Sequence, residues 1–278
     1  MTTPIDGFLG LMAERSRSRV AAALRAAPYE QVHARALDRG PAEALRLSPD
    51  GFDLIAEVKL KSPSEGVLGE STAEGRTRVV NQVTTYSESG AAAISVLTEP
   101  TEFAGDLVHG AWATEATSTP VMRKDFLVDR YQVAEARAVG ASGVLLIVRI
   151  LDDETLRSMI ALARELGMWV LLECFDEGDI DRAGVLSSPD VLLGVNCRNL
   201  DTLEVVFERL ISLAPRLPMD AVTVAESGLC GPTAARTVVQ AGYRMALVGS
   251  ALMRAPTPGD LLASMLVAGR EEASCVSA

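Results

Sequence analysis

The chain has 278 residues, 48% of them hydrophobic and 4% aromatic, with 37 acidic residues against 26 basic ones and a formal charge of −11. That surplus of negative charge repels nucleic acid and anionic membrane surfaces, so neither is an expected partner. The four cysteines (Cys174, Cys197, Cys230 and Cys275) form no CxxC pair and read as reduced thiols, not as a disulfide framework or a zinc site. No apolar run approaches the roughly 18 residues of a membrane span, no leader pattern opens the chain, and a cytoplasmic protein is expected.

Residues 1–48 precede the first strand pattern. Apolar positions recur at helical spacing over 8–24, and a weaker helical pattern runs over 29–47 after Pro28. This segment is expected to be an N-terminal helical extension packed on the main body, residues 49–278. His33 falls in it and reads as a surface or half-buried helix residue.

From residue 54 onward, short β-branched runs alternate with longer helical ones. Strands are expected at 54–59, 92–97, 121–124, 144–148, 169–173, 191–195, 222–225 and 245–248. Helical patterns between them include 76–89, 131–139, 154–166, 177–183, 207–214 and 232–240, several ending at a Gly suited to a left-handed cap. Eight βα units predict an α/β protein of the (β/α)8 TIM barrel class. The competitor, an open doubly wound sheet, lacks the GxGxxG or Walker A pattern expected after a first strand.

A barrel places its site at the C-terminal ends of its strands. Glu57 and Lys59 end the first strand and, two residues apart, point the same way. Arg123, Lys124 and Asp125 end the third, Glu173 the fifth, and Asn196 with Arg198 follow the sixth. Glu226, Ser227 and Gly228 end the seventh, and Gly249 with Ser250 follow the eighth. One such pair could be a structural salt bridge; several around a ring make a convergent site. The glycine-containing turns after strands seven and eight suit phosphate, since a residue without Cβ lets backbone N–H groups approach it. The alternative for these turns is tight chain reversal alone. Neither histidine stands at a strand end and no cluster has metal-ligand spacing. The expectation is a cofactor-free, metal-free acid/base site of carboxylates and ammonium groups.

These motifs resemble indole-3-glycerol phosphate synthase, and in the same order. They are Ile55-Ala56-Glu57-Val58-Lys59 with Ser62-Pro63-Ser64, Ser95-Val96-Leu97-Thr98-Glu99, Arg123-Lys124-Asp125-Phe126 and Leu145-Leu146-Ile147-Val148. Leu172-Glu173, Asn196-Cys197-Arg198-Asn199-Leu200, Ala225-Glu226-Ser227-Gly228 and Val248-Gly249-Ser250 complete the set. The resemblance covers about residues 50–255 and the helical extension. It implies ring closure of 1-(2-carboxyphenylamino)-1-deoxyribulose 5-phosphate, a phosphorylated anilino-sugar, with loss of carbon dioxide and water in tryptophan biosynthesis. It further implies Lys124 as general acid, Glu173 as general base, and Lys59 paired with Glu57, reaching the phosphate and a second candidate for the acid role, with the division of steps between the two lysines left open. Asn196 and Glu226 would hold hydroxyls or the intermediate, with Arg198 near charged groups. Pro63, Phe103, Phe126, Leu145 and Leu200 would make an apolar slot for the aryl ring. Ser62 would meet the departing carboxylate, and Ser227, Gly228, Gly249 and Ser250 the phosphate. A monomer or weak homodimer is expected. Glu65, Cys174, Cys197 and Val206 depart from the family's usual residues. They keep open a paralogue acting on a substituted aryl substrate, and a catalytically silent phosphate-binding barrel is a further alternative.

Overall fold

The computed structural model describes residues 7–62, 66–67, 72–200 and 202–276, with side chains described outside 62–74. Eight parallel strands close on themselves in chain order. They are β1 (Asp53–Val58), β2 (Ala93–Leu97), β3 (Val121–Lys124), β4 (Gly143–Ile147), β5 (Trp169–Cys174), β6 (Val191–Asn196), β7 (Thr223–Glu226) and β8 (Met245–Val248). Closure falls to β1, which pairs with β2 through Glu57↔Ser95 and with β8 through Ala56↔Val248. Strands covered on both faces read as unbroken apolar runs, and every strand residue is buried except Lys124 at the end of β3. Each expected strand is present within about two residues of its expected bounds.

Eleven α-helices accompany the strands among the described residues. α1 (Gly7–Ala26) and α2 (Tyr29–Leu37) come first, then α3 (Thr72–Glu88), α4 (Leu107–Ala116), α5 (Arg130–Ala138), α6 (Asp153–Glu165) and α7 (Glu177–Gly184). α8 (Glu208–Leu213), α9 (Pro232–Gln240), α10 (Ser250–Arg254) and α11 (Pro258–Val276) complete the set. Four successive helices, α4 to α7, open on an aspartate whose carboxylate accepts a first-turn N–H: Asp106, Asp129, Asp152 and Asp176. Such caps start the helices close to the strand ends and set short, determinate loops around the site.

The second N-terminal helix stops at Leu37, ten residues short of the expected 29–47. Gly40 has φ +74° and Pro41 follows it, a pair that disfavours further helix. The chain then runs irregularly to residue 48, tied down where the Arg137 guanidinium donates to the Gly40 carbonyl (2.9 Å). α1 packs on the barrel's α5 side. Tyr131 Oη donates to the carbonyls of Ala23 and Ala27, and Gln132 donates to Ser16 Oγ. His33 lies outside the site: it pairs with Glu165 at 2.9 Å and stacks on Tyr29. His109 is spent on the capping box of α4.

Candidate active site

Along β1 the alternation of faces brings Glu57 and the next inward residue, Lys59, to the mouth of the barrel. Their charged ends lie 3.3 Å apart, and the other Glu57 oxygen is 4.0 Å from Lys124 Nζ on β3. One carboxylate therefore bridges two ammonium groups. Lys59 also donates to Ser250 Oγ (2.9 Å) at the start of α10. Gly249 is required here by its neighbour: a Cβ at this position would overlap Glu57 Oε1. Lysine occurs only at positions 59, 61 and 124 in the entire chain, every other basic residue being arginine.

On the opposite side β5 and β6 present Glu173 and Asn196. The Asn196 amide donates to a Glu173 oxygen, and its carbonyl accepts the Arg198 backbone N–H at 2.9 Å. Asn196 is thus locked in one orientation and in turn orients Glu173, which is 2% exposed. Glu226 on β7 is 1% exposed, and neither of its oxygens has a hydrogen-bond partner among the described residues. It fits only because β6 carries Gly194, where a Cβ would overlap Glu226 Oε1. Burial opposes the charge on Lys124, but the negative charges facing it, Glu173 first and then Glu57, outweigh it and hold this amine above the ordinary lysine range. Burial, reinforced by Glu173, pushes the Glu226 carboxyl well above the ordinary range.

All of these groups except Glu173 face a cavity of about 400 Å³, lined by Glu57, Lys59, Lys124, Asn196, Arg198 and Glu226. Ser227, Gly228, Gly249 and Ser250 line it on one side. Ser227 and Gly228 both hold left-handed backbone, at φ 70° and 76°, which costs energy for the serine and marks a strained loop. The hairpin-like loop after β6, closed by Asn199 N–H to the Glu204 carbonyl, contributes Leu200, Leu203 and Val205. Phe103 lines the apolar side, and Phe126 packs behind it with ring centroids 6.4 Å apart. Leu145 is not on this surface. It pairs in register with Leu171, one inward layer below Ile147↔Glu173, and fills the barrel interior. Pro63 and the Ser62 side chain lie outside the described residues.

Two contributors had no clear signature in the sequence. Phe8 of α1 lines the cavity and meets Phe126 edge-on at 5.9 Å. The helix buries Leu9, Met12, Ser16 and Val20, so Phe8 sits just off the packing stripe, and that offset is the one clue available. Arg19, also on α1, forks onto Asp125 at 2.9 and 2.7 Å, directly beside Lys124. Burial pushes the Asp125 carboxyl up, but Arg19, Arg123 and Thr98 outweigh it and hold it below the ordinary carboxylate range. The extension therefore reaches the site at two points.

A family model described as indole-3-glycerol phosphate synthase matches residues 10–264. The chain belongs to that family. The indole-3-glycerol phosphate synthase of Variovorax paradoxus (strain S110) is 42% identical over 264 residues, covering 90% of this chain and 95% of the relative. That of Nocardioides sp. (strain ATCC BAA-499 / JS614) is 46% identical over 208 residues, covering 75% and 77%. Among solved structures, 3-hexulose-6-phosphate synthase from Salmonella typhimurium superposes with a TM-score of 0.60 at 16% identity. That match spans 79% of this chain and 99% of the other, a likeness of fold alone. Within the synthase pattern, the departures at Cys174 and Cys197 are buried thiols. Cys197 Sγ lies 3.4 Å from the Ser227 carbonyl, so this substitution touches the strained turn and not the charged cluster. Val206 donates its N–H to the Cys197 carbonyl, a backbone role indifferent to its side chain. Glu65 lies outside the described residues. No helix among the described residues is long and apolar enough to cross a membrane.

Proposed function

We propose that this chain, a carboxy-lyase of tryptophan biosynthesis by family, closes the indole ring with Lys124 as acid and Glu173 as base. The substrate is 1-(2-carboxyphenylamino)-1-deoxyribulose 5-phosphate, and the observation that carries the reading is two lysines sharing Glu57 on a cavity with a phenylalanine wall. The aryl ring lies against Phe8, Phe103 and Leu200, and the phosphate against Ser227, Gly228, Gly249 and Ser250. Lys59 spans from Glu57 to Ser250 and neutralises the phosphate. Lys124, kept charged by its carboxylates, gives a proton to the ketone oxygen as the aryl carbon attacks. Carbon dioxide leaves, and Glu173, oriented by Asn196, takes a proton as water is lost and the ring becomes aromatic. Residues 1–48 act as an extension of one catalytic unit with the barrel of 49–278, supported by the contacts of Phe8 and Arg19. The relatives favour this substrate over a substituted aryl one.

Incubating the purified chain with the unsubstituted substrate should produce indole absorbance, and Lys124→Ala or Glu173→Gln should lower kcat by ~10²-fold or more. Negligible turnover by the parent chain would reject the substrate. Undiminished turnover in both variants would reject the roles.

A further inference from the structure

We propose that Glu226 stands in the resting site as a neutral carboxylic acid and donates its proton, as a hydrogen bond, to an oxygen of the bound substrate. The inference rests on the site reading above and deepens it. An ionised carboxylate offers about four lone-pair positions that need donors, yet both Glu226 oxygens are buried with no donor among the described residues. Oε1 instead lies against Gly194, so closely that any Cβ there would overlap it. The donors nearby are directed at other groups, and none bonds to either Glu226 oxygen. The Asn196 amide holds Glu173, Lys59 serves Glu57 and Ser250, and Lys124 faces Glu57.

The ionisable groups around Glu226 come from several elements of the barrel. Glu173 and Cys174 come from β5, Glu57 from β1, Cys197 and Arg198 from the loop after β6, and Lys59 and Lys124 from the ends of β1 and β3. Glu173 and Glu57 disfavour a further negative charge, Lys124 favours one, and burial decides for the neutral form. With Glu226 ionised, three cations (Lys59, Lys124, Arg198) face three carboxylates and the cluster is neutral. With Glu226 protonated it is net positive, which suits a substrate bearing both carboxylate and phosphate. A neutral acid is also a donor where an ionised one only accepts, and the substrate's chain of oxygens calls for donors. The proton stays on Glu226, and no bond is made or broken by this residue.

Infrared difference spectra of the unliganded chain, with ¹³C-glutamate labelling to set aside aspartates, test the protonation state without any substrate. A protonated-carboxyl carbonyl band should be present near neutral pH, shift with the label and vanish in Glu226→Gln. In kinetics, Glu226→Ala should lower kcat/KM by ~10-fold or more, the worth of a hydrogen bond to a buried partner, and Glu226→Gln, a neutral donor of the same shape, should recover most of that loss. Absence of the band in the parent chain overturns the proposal, even if the Gln variant does not fold. A Gln variant as impaired as the Ala variant overturns the donor role. If the parent chain does not turn over the substrate, the site reading fails while the infrared result still decides the state of Glu226.

Discussion

Glu57 is the residue on which the charged cluster turns, because two ammonium groups that repel each other are held close by one carboxylate. Its own position depends on Gly249, which presses against its Oε1. From sequence, Gly249 is expected to serve close approach of phosphate; the structure gives the same glycine a second duty toward Glu57. Gly249→Ala should therefore lower kcat as well as raise KM, since a displacement of about 1 Å in such a site costs on the order of 10²-fold. Steady-state kinetics separate the two: a change in KM alone would show that Glu57 was not moved. The places of Glu57, Lys59, Lys124 and Glu173 at strand ends were legible because strand alternation and strand-end position are local properties of a sequence. The unpartnered state of Glu226 was not legible, since it depends on where donors on other strands, Lys124 of β3 and Asn196 of β6, are directed across the barrel. Leu145 was misplaced for a related reason: inwardness can be read from alternation, but depth in the barrel is set by inter-strand register.

Among the elements, α1 does more than cover the barrel. It sets Phe8 at the cavity and Arg19 against Asp125, whose neighbour in sequence is Lys124. Arg19→Ala should cost about 1.5–3 kcal/mol, the usual worth of hydrogen bonds to a charged group, and lower kcat by loosening the loop behind Lys124. Asp125 titrates in the folded chain below its ordinary value of 3.8. The unfolded chain thus binds more protons in that window, and stability rises with pH through it. That contribution is complete above the ordinary value and lost as pH falls through the folded one. Urea unfolding should show a gap between parent and Arg19→Ala at about pH 7 that narrows at about pH 3; an equal gap at both would mean that the Asp125 charge is not what Arg19 supports. Helical periodicity revealed α1 but not its target, because the partner lies 106 residues away. It overran at α2, where the Gly40-Pro41 break outweighs the apolar pattern. It passed over α4 and α11, each interrupted by an internal glycine, Gly110 and Gly269.

At the scale of the molecule, the closed sheet brings together groups from seven of the eight strand ends. The count of eight was readable from β-branched runs and the turns between them. The seam was not, because β1↔β8 pairing joins residues nearly two hundred positions apart. α11 lies over that seam. Gly269 presses on the buried Phe52 ring, and Arg270 donates to the Phe52 carbonyl and to Asp53, the first residue of β1. Gly269→Val should overpack this contact and destabilise the chain by about 1–3 kcal/mol. Chemical denaturation measures the loss, and an unchanged midpoint would show that α11 adjusts freely and does not secure the closure.

Confining lysine to positions 59, 61 and 124 has a practical consequence for spectroscopy. In a Lys61→Arg variant grown on ¹⁵N-lysine, the only labelled side chains would be the pair that share Glu57. Their magnetic resonance signals would then follow protonation and substrate arrival at the reacting centre, with no background from the other basic side chains.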